Sequence, residues 1–301
     1  MPRIDAISSL THTMPSGRRT SSGLRGKAWK SRKMKGKRRI PVALSIAGSD
    51  SGGGAGIQAD LKTFAALGVY GTSALTAVTA QNTVEVTAIK GLCPEMVAAQ
   101  IKAVVTDIGV DAAKTGMLSS ADLIEVVAEE IRKHNIRKLV VDPVMVSKSG
   151  AALLKPEAVD ALVTELLPCA LVVTPNWPEA ERLVGHRIET KEEAEEACRK
   201  IAGMGPEIVV LKGGHREGKA VDTVYDGKKF TRLTAERVQT TSTHGTGCTF
   251  SAAITAGLAK GLAPLAAIKA AKRYLTQAIQ KAYPIGHGHG PVNHFYRGIK
   301  T

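Results

Sequence analysis

From Pro41 to about Tyr296, short β-branched apolar runs alternate with stretches of helical periodicity. Strands that are apolar along their whole length need cover on both faces, and intervening amphipathic helices supply it, so the pattern predicts a mostly parallel sheet between two helical layers. Strands are expected at Val42 to Ala47, Thr72 to Ala80, Ala112 to Thr115, Leu139 to Asp142, Leu171 to Thr174 and Ile208 to Lys212. A hairpin is expected from Thr223 to Leu233, turning on Asp226-Gly227. Ile57, Leu61, Phe64 and Ala65 form one helical stripe, and Val97, Ile101, Val104, Val105 and Ile108 another. Thr190 and Glu193 have capping-box spacing at the start of a further helix. All of these are core or architectural positions.

The net charge of +14 invites a nucleic-acid reading, but it is unevenly spread. Residues 1–39 carry 12 Lys/Arg against Asp5 alone, whereas the remainder holds 29 basic and 26 acidic residues. The chain therefore divides into a basic N-terminal extension, 1–39, expected to be disordered, and a single α/β domain, 40–301. The extension has the composition of an organellar transit peptide and of a nucleic-acid-binding arm, but the plain reading is a dispensable segment, with translation starting at Met34. Trp29 is its one aromatic residue, so it offers no stacking platform for a nucleic acid. No apolar run approaches membrane-spanning length, and four scattered cysteines fit a reducing, cytoplasmic setting.

Two glycine clusters carry the first chemical signal. Gly48-Ser49-Asp50-Ser51-Gly52-Gly53-Gly54-Ala55-Gly56 follows the first strand and opens a helix, allowing close backbone approach to a ligand. A dinucleotide fingerprint laid on Gly54-Ala55-Gly56-Ile57-Gln58-Ala59 has no strand ending immediately before it and meets Gln81-Asn82 where an acid is wanted, and no P-loop motif exists elsewhere. Thr243-His244-Gly245-Thr246-Gly247-Cys248 precedes a small-residue helix, whose free amides and positive dipole end suit a phosphate group. Cys248 at that terminus is expected to have a lowered thiol pKa and to accept a proton from a substrate hydroxyl, although a small buried filler is its bland alternative.

Between the clusters, polar groups stand where apolar strands end: Gln81-Asn82, Lys114-Thr115-Gly116-Met117, Asp142, Asn176 with Glu179, and Lys212-Gly213-Gly214-His215. Strand ends of an open parallel sheet share one crevice, so these stations are expected to meet. Asp142, Asn176 and Glu179 offer hard oxygens for Mg2+, and Lys212 offers charge for a polyphosphate. Gly286-His287-Gly288-His289-Gly290 has no partner motif for zinc and reads as a mobile loop.

In order along the chain, these motifs, together with Asp60 and the closing Gly288-His289-Gly290-Pro291-Val292, resemble the hydroxymethylpyrimidine/phosphomethylpyrimidine kinases of thiamine biosynthesis. The resemblance spans about Val42 to Phe295 and implies a ribokinase-like three-layer fold and a homodimer. It further implies two ATP-dependent phosphorylations, of 4-amino-5-hydroxymethyl-2-methylpyrimidine and then of its monophosphate. By the same matching, Gly48, Asp60, Gln81 and Met117 contact the pyrimidine, and Asn176, Lys212 and Thr243 the ATP. Asp142 and Glu179 hold Mg2+, and Gly245, Thr246, Gly247 and Cys248 form the catalytic loop. Cys248→Ala would then lower turnover by about 10²- to 10⁴-fold. Ser242 and Phe250 depart from the usual pattern and are expected to retune the pocket wall. Pyridoxal kinase, which stops at a monophosphate, is the rival within this fold, and a nucleic-acid-binding protein acting through the tail is the rival outside it.

Overall fold

The computed structural model describes residues 39–146, 150, 153–155, 157–214 and 218–298. Most of the basic extension, and His215, lie outside the described residues. The strands are β1 (Val42–Asp50), β2 (Tyr70–Gln81), β3 (Val86–Gly91), β4 (Ala112–Thr115), β5 (Leu139–Val141), β6 (Val172–Val173), β7 (Ile208–Leu211), β8 (Ala220–Tyr225) and β9 (Phe230–Ala235). They form one sheet ordered β3-β2-β1-β4-β5-β6-β7-β8-β9. β2, β1, β4, β5, β6 and β7 run parallel, while β3 at one edge and β8 and β9 at the other are antiparallel to their neighbours.

The expected hairpin is β8–β9, closed by Asp226, whose Oδ1 accepts from the amides of Lys228 and Lys229 at 3.1 and 2.9 Å. β3 has no counterpart in the sequence reading. As an edge strand with most residues exposed, it needs no apolar alternation, and its pairing with β2 creates it.

The helices are α1 (Gly56–Ala66), α2 (Pro94–Asp107), α3 (Ala121–Lys133), the short α4 (Ala158–Ala161), α5 (Trp177–Val184), α6 (Lys191–Ala202), α7 (Thr246–Ala259) and α8 (Pro264–Gln280). One core layer packs α2, α3 and α6 on the sheet through residues such as Ile101, Val127 and Ile201. The other packs α1, α7 and α8 through Phe64, Ile254 and Tyr274. The capping box at Thr190 and Glu193 is present, with both reciprocal bonds.

α7 differs from the amphipathic helices. Every residue from Thr249 to Ala259 is buried, as an all-apolar helix requires, and it packs against β1, β4, β5, α1 and α8. Its N-terminus therefore opens at the carboxyl edge of the sheet. The chain leaves β1 toward β2 on one side and reaches β4 on the other, making the β1/β4 edge a topological switch point. The glycine-histidine loop after α8 is tied down, contrary to the mobility its glycines suggest. The His289 amide donates to Thr83 O at 2.8 Å, the His244 amide donates to Gly290 O at 3.0 Å, and Val292 to His294 are buried.

Candidate active site

A cavity of about 530 Å³ lies at the switch point. The end of β1 contributes Gly48, β2 contributes Gln81, the loop after β4 contributes Met117, and the start of α5 contributes Asn176 and Glu179. Asp142 and Lys212 follow β5 and β7, and Thr243, Gly245, Thr246, Gly247 and Cys248 close the wall at the start of α7. The expected convergence of strand ends is found for Gln81, Gly116, Met117, Asp142, Asn176, Glu179 and Lys212, whereas Asn82, Lys114, Thr115, Gly213 and Gly214 do not line this cavity.

The register of β1 shifts between Ala47 and Ser49, and this bulge turns Gly48 toward the pocket. A Cβ at Gly48 would lie 3.1 Å from the Met117 sulfur, so this end of the pocket is narrow and largely apolar. Met117 itself is 9% exposed.

The opposite end is polar. Gly245 caps α7 with φ 73°, and a Cβ there would lie 1.8 Å from Gly54 O. Only glycine allows that approach, by which the two glycine clusters interlock. Beyond it lie the first amides of α7, which have no intrahelical acceptor, as at any helix start, although the Thr246 amide donates to Thr243 O at 3.4 Å.

Lys212 Nζ lies 2.9 Å from Asp142 Oδ1 and 3.8 Å from Glu179 Oε2. Burial opposes the charge on Lys212, but the two carboxylates hold its ammonium firmly protonated. Burial likewise opposes ionisation of Asp142; Lys212 and Lys114 outweigh it and keep the carboxyl below its ordinary range. For Glu179, burial dominates the attraction of Lys212, and with repulsion from Asp142 it pushes the carboxyl up to about 7. Lys212 is held in place by its neighbour, since the Gly213 amide donates to Asp222 Oδ1 at 2.9 Å. Asn176 lines the cavity, but its Oδ1 accepts from the Glu179 amide at 2.9 Å while Glu179 Oε2 accepts from the Asn176 amide at 2.7 Å. The Asn176 oxygen expected as a hard ligand is thus committed to capping α5.

Three expectations are corrected. Asp60 does not line the cavity: it is fully buried behind it on α1, where Oδ1 lies 3.0 Å from Lys114 Nζ and Oδ2 accepts from Ser45 Oγ at 2.6 Å. A buried carboxylate requires such partners, and its burial behind the wall keeps Asp60 out of contact with a ligand in the cavity. The Cys248 thiol is not lowered. Burial, reinforced by Asp60 and Asp142 and only partly offset by Lys114, pushes it up to about 12, outweighing the dipole of α7. Phe250 is 1% exposed and belongs to the core of the α1/α7/α8 layer, so it does not shape the pocket wall.

Two buried groups gain roles that the sequence did not announce. Asp50 Oδ2 accepts from the amides of Gly54 and Ala55 at 3.0 and 2.8 Å, and Oδ1 accepts from Gly52 at 2.8 Å. His244 Nε2 lies 2.8 Å from the same Oδ2, so this carboxylate ties both glycine clusters together. Burial would raise the Asp50 pKa, but the His244 contact and the amides of Ala55 and Gly52 lower it overall. Lys114 was visible as a cation inside an apolar four-residue strand, a signal that it needs a buried acid.

The nine-stranded sheet with helices on both faces is the ribokinase-like α/β fold of the pyridoxal and phosphomethylpyrimidine kinases. The chain belongs to the phosphomethylpyrimidine kinase family, whose model matches residues 50–293. The hydroxymethylpyrimidine/phosphomethylpyrimidine kinase of Rhizobium meliloti is 55% identical over 264 residues, 86% of this chain and 98% of that protein. The structure of Clostridium difficile phosphomethylpyrimidine kinase superposes with a TM-score of 0.72 at 46% identity, over 80% of this chain and all of that one (100%). The ADP complex of Bacillus subtilis pyridoxal kinase superposes with a TM-score of 0.80 at 44% identity, over 85% and 98% of the two chains. The protein is an ATP-using phosphotransferase of thiamine biosynthesis.

Proposed function

We propose that the described domain, 40–301, phosphorylates the hydroxymethyl oxygen of 4-amino-5-hydroxymethyl-2-methylpyrimidine and then phosphorylates that monophosphate to the diphosphate. The convergence of the apolar Gly48–Met117 end with the amide-lined start of α7 in one cavity carries this reading. Gly48, Gln81 and Met117 hold the ring, with Gln81 reading its aminopyrimidine edge through both ends of its amide. Thr243, Asn176 and Lys212 face the nucleotide phosphates. The amides of Gly245, Thr246, Gly247 and Cys248 stabilise the transferred phosphoryl group, and positioning plus this charge stabilisation supplies most of the acceleration.

A neutral Cys248 thiol contacts the substrate hydroxyl and orients it; the new P–O bond forms as the bond between the transferred phosphorus and the ADP oxygen breaks, and the hydroxyl proton passes to an oxygen of the transferred phosphoryl group, in keeping with a loose transition state. Asp142 and Glu179 would hold Mg2+. Both already face a cation, the Lys212 ammonium, and a pair of carboxylates suits an ion that takes one or two of them with phosphates and water. When bound, Mg2+ neutralises charge on the nucleotide phosphates.

A homodimer fits the exposed apolar residues Val78, Val84 and Ile89 on the β2–β3 ribbon. A cytoplasmic setting fits the four free cysteines, and no described helix is long and apolar enough to cross a membrane. Nucleic acid is not a partner in this reading.

Pyridoxal phosphorylation is the second reading, favoured by the TM-score of 0.80 to a pyridoxal kinase. ADP formation with Mg-ATP and three acceptors decides between them. Activity on the pyrimidine alcohol and on its monophosphate is expected. Activity on pyridoxal alone would move the assignment.

A further inference from the structure

Gln81 stands at the end of β2 with its amide between two polar groups. As placed, its Oε1 lies 3.2 Å from Thr79 Oγ1 and its Nε2 lies 3.4 Å from His244 Nε2. The two ends of an amide are alike in size and opposite in hydrogen bonding, so the surrounding protons decide which is which. His244 Nε2 lies 2.8 Å from Asp50 Oδ2, and an ionised carboxylate only accepts, so Nε2 carries a hydrogen. A protonated Nε2 has no lone pair to accept from an NH2 group, so His244 favours the amide oxygen. Thr79 Oγ1 has one hydrogen and two oxygens within reach, Ser49 O at 2.9 Å and Gln81 Oε1 at 3.2 Å; given to the nearer, it leaves only lone pairs toward Gln81. Both neighbours favour the same answer, with the amide oxygen toward His244 and the NH2 toward Thr79, the two ends exchanged relative to that placement.

We propose that the Asp50–His244 and Ser49–Thr79 hydrogen bonds lock the Gln81 amide in this one orientation, making His244 and Thr79 positioning residues that set which heteroaromatic edge the enzyme accepts. The inference rests on the reading that Gln81 faces the pyrimidine. Each amide end keeps one free hydrogen-bonding function, a lone pair on oxygen and a hydrogen on nitrogen. A 4-aminopyrimidine edge presents an exocyclic donor beside a ring-nitrogen acceptor, whereas its 4-oxo counterpart presents an acceptor beside a ring N–H donor. The hydroxymethyl group must reach the start of α7, so the ring cannot turn over to compensate. The locked amide matches the amino edge at two points and opposes the oxo edge at two.

The test is kcat/KM with Mg-ATP for the 4-amino and 4-oxo pyrimidine alcohols, using the full chain and Thr79→Val, His244→Leu, His244→Gln and Gln81→Leu. The wild type is expected to favour the amino substrate by about 10²-fold or more, since a mismatched polar edge leaves buried groups unpaired. Thr79→Val and His244→Leu should each cut this ratio by about tenfold or more. His244→Gln, which places an N–H near the former Nε2, should hold it within about threefold of wild type. Thr79→Val carries the test even if His244→Leu fails to fold. A ratio unchanged in Thr79→Val, with kcat/KM for both substrates falling together, overturns the inference, as does a wild-type ratio near one. Gln81→Leu separates the two levels. If it alone collapses the ratio, only the orientation lock fails; if it leaves the ratio intact, the placement of the pyrimidine against Gln81 fails with it.

Discussion

Cys248 shows how a local rule is overruled by its surroundings. A cysteine at a helix N-terminus ordinarily becomes more acidic, but here desolvation of the half-buried Cys248, with the charges of Asp60 and Asp142, pushes the thiol up to about 12. A neutral thiol acts through contact rather than as a resident base. Cys248→Ser is therefore expected to keep kcat within about tenfold of wild type, whereas loss of a positioned base costs about 10²- to 10⁴-fold. Steady-state kinetics on both pyrimidine substrates check this, and a larger loss would restore the proton-acceptor role.

His294 makes a second residue-level prediction. It is buried beside Thr249, whose Oγ1 lies 3.0 Å from Nε2, and burial, aided by Lys62, lowers its pKa to about 4 from an ordinary 6.5. Between those values the unfolded chain binds a proton that the folded chain does not. Stability is therefore full above about pH 6.5 and is lost as pH falls toward about 4, by up to about 3 kcal/mol from this group. Chemical denaturation of wild type and His294→Gln at pH 7.5 and 4.5 should show a smaller acid-side loss in the variant. Equal losses would place the titration elsewhere.

At the level of elements, the junction between α1 and α7 depends on glycines more than on side chains. Gly245 combines φ 73° with a contact of 1.8 Å from a would-be Cβ to Gly54 O, so substitution must push the two loops apart. Gly261 has φ 83° and nothing within 4 Å of its would-be Cβ. Gly261→Ala should cost only the backbone strain, about 1 kcal/mol, and leave kcat unchanged. Gly245→Ala should lower kcat by about 10²-fold or more, because the amides of α7 leave their positions. Measuring Tm and kcat for both variants separates strain from displacement. Similar kinetics in the two would mean that the interlock is not required for turnover.

The same junction explains what pattern reading could and could not reach among the elements. Strands β1, β4, β5, β6 and β7 were legible as continuous apolar runs because both of their faces are covered, and the stripes of α1 and α2 were legible in part, Ile57, Phe64, Val97 and Ile101 being buried while Ala65 and Ile108 are exposed. β3 was not, because an exposed edge strand carries no such period. Asn176 and Glu179 looked like ligands by position, yet they also form a capping box, visible in the spacing Asn-x-x-Glu and matching Thr190 and Glu193.

For the whole molecule, charge and chemistry separate. The excess of basic residues lies in the first 39, whereas the residues assigned to the site begin at Gly48. A chain starting at Met34 is expected to match the full chain in kcat/KM for both pyrimidine acceptors within about twofold, checked by ADP formation at equal concentrations of the two proteins. A tenfold or larger loss would make the extension part of the enzyme.

The sequence by itself determined the layered α/β fold, the strand ends at which the cavity forms and many of the residues that line it, though not Val146, Leu153, Pro178 or Arg182, because apolar patterning and glycine placement are local properties of the chain. Only the tertiary structure decided that Asp60 pairs with Lys114 behind the pocket, that Cys248 keeps its proton and that Asp50 and His244 join the two glycine loops across 194 positions of chain. Protonation and partner choice depend on burial and on charges brought from distant segments, and those distances exist only once the sheet has closed around α7.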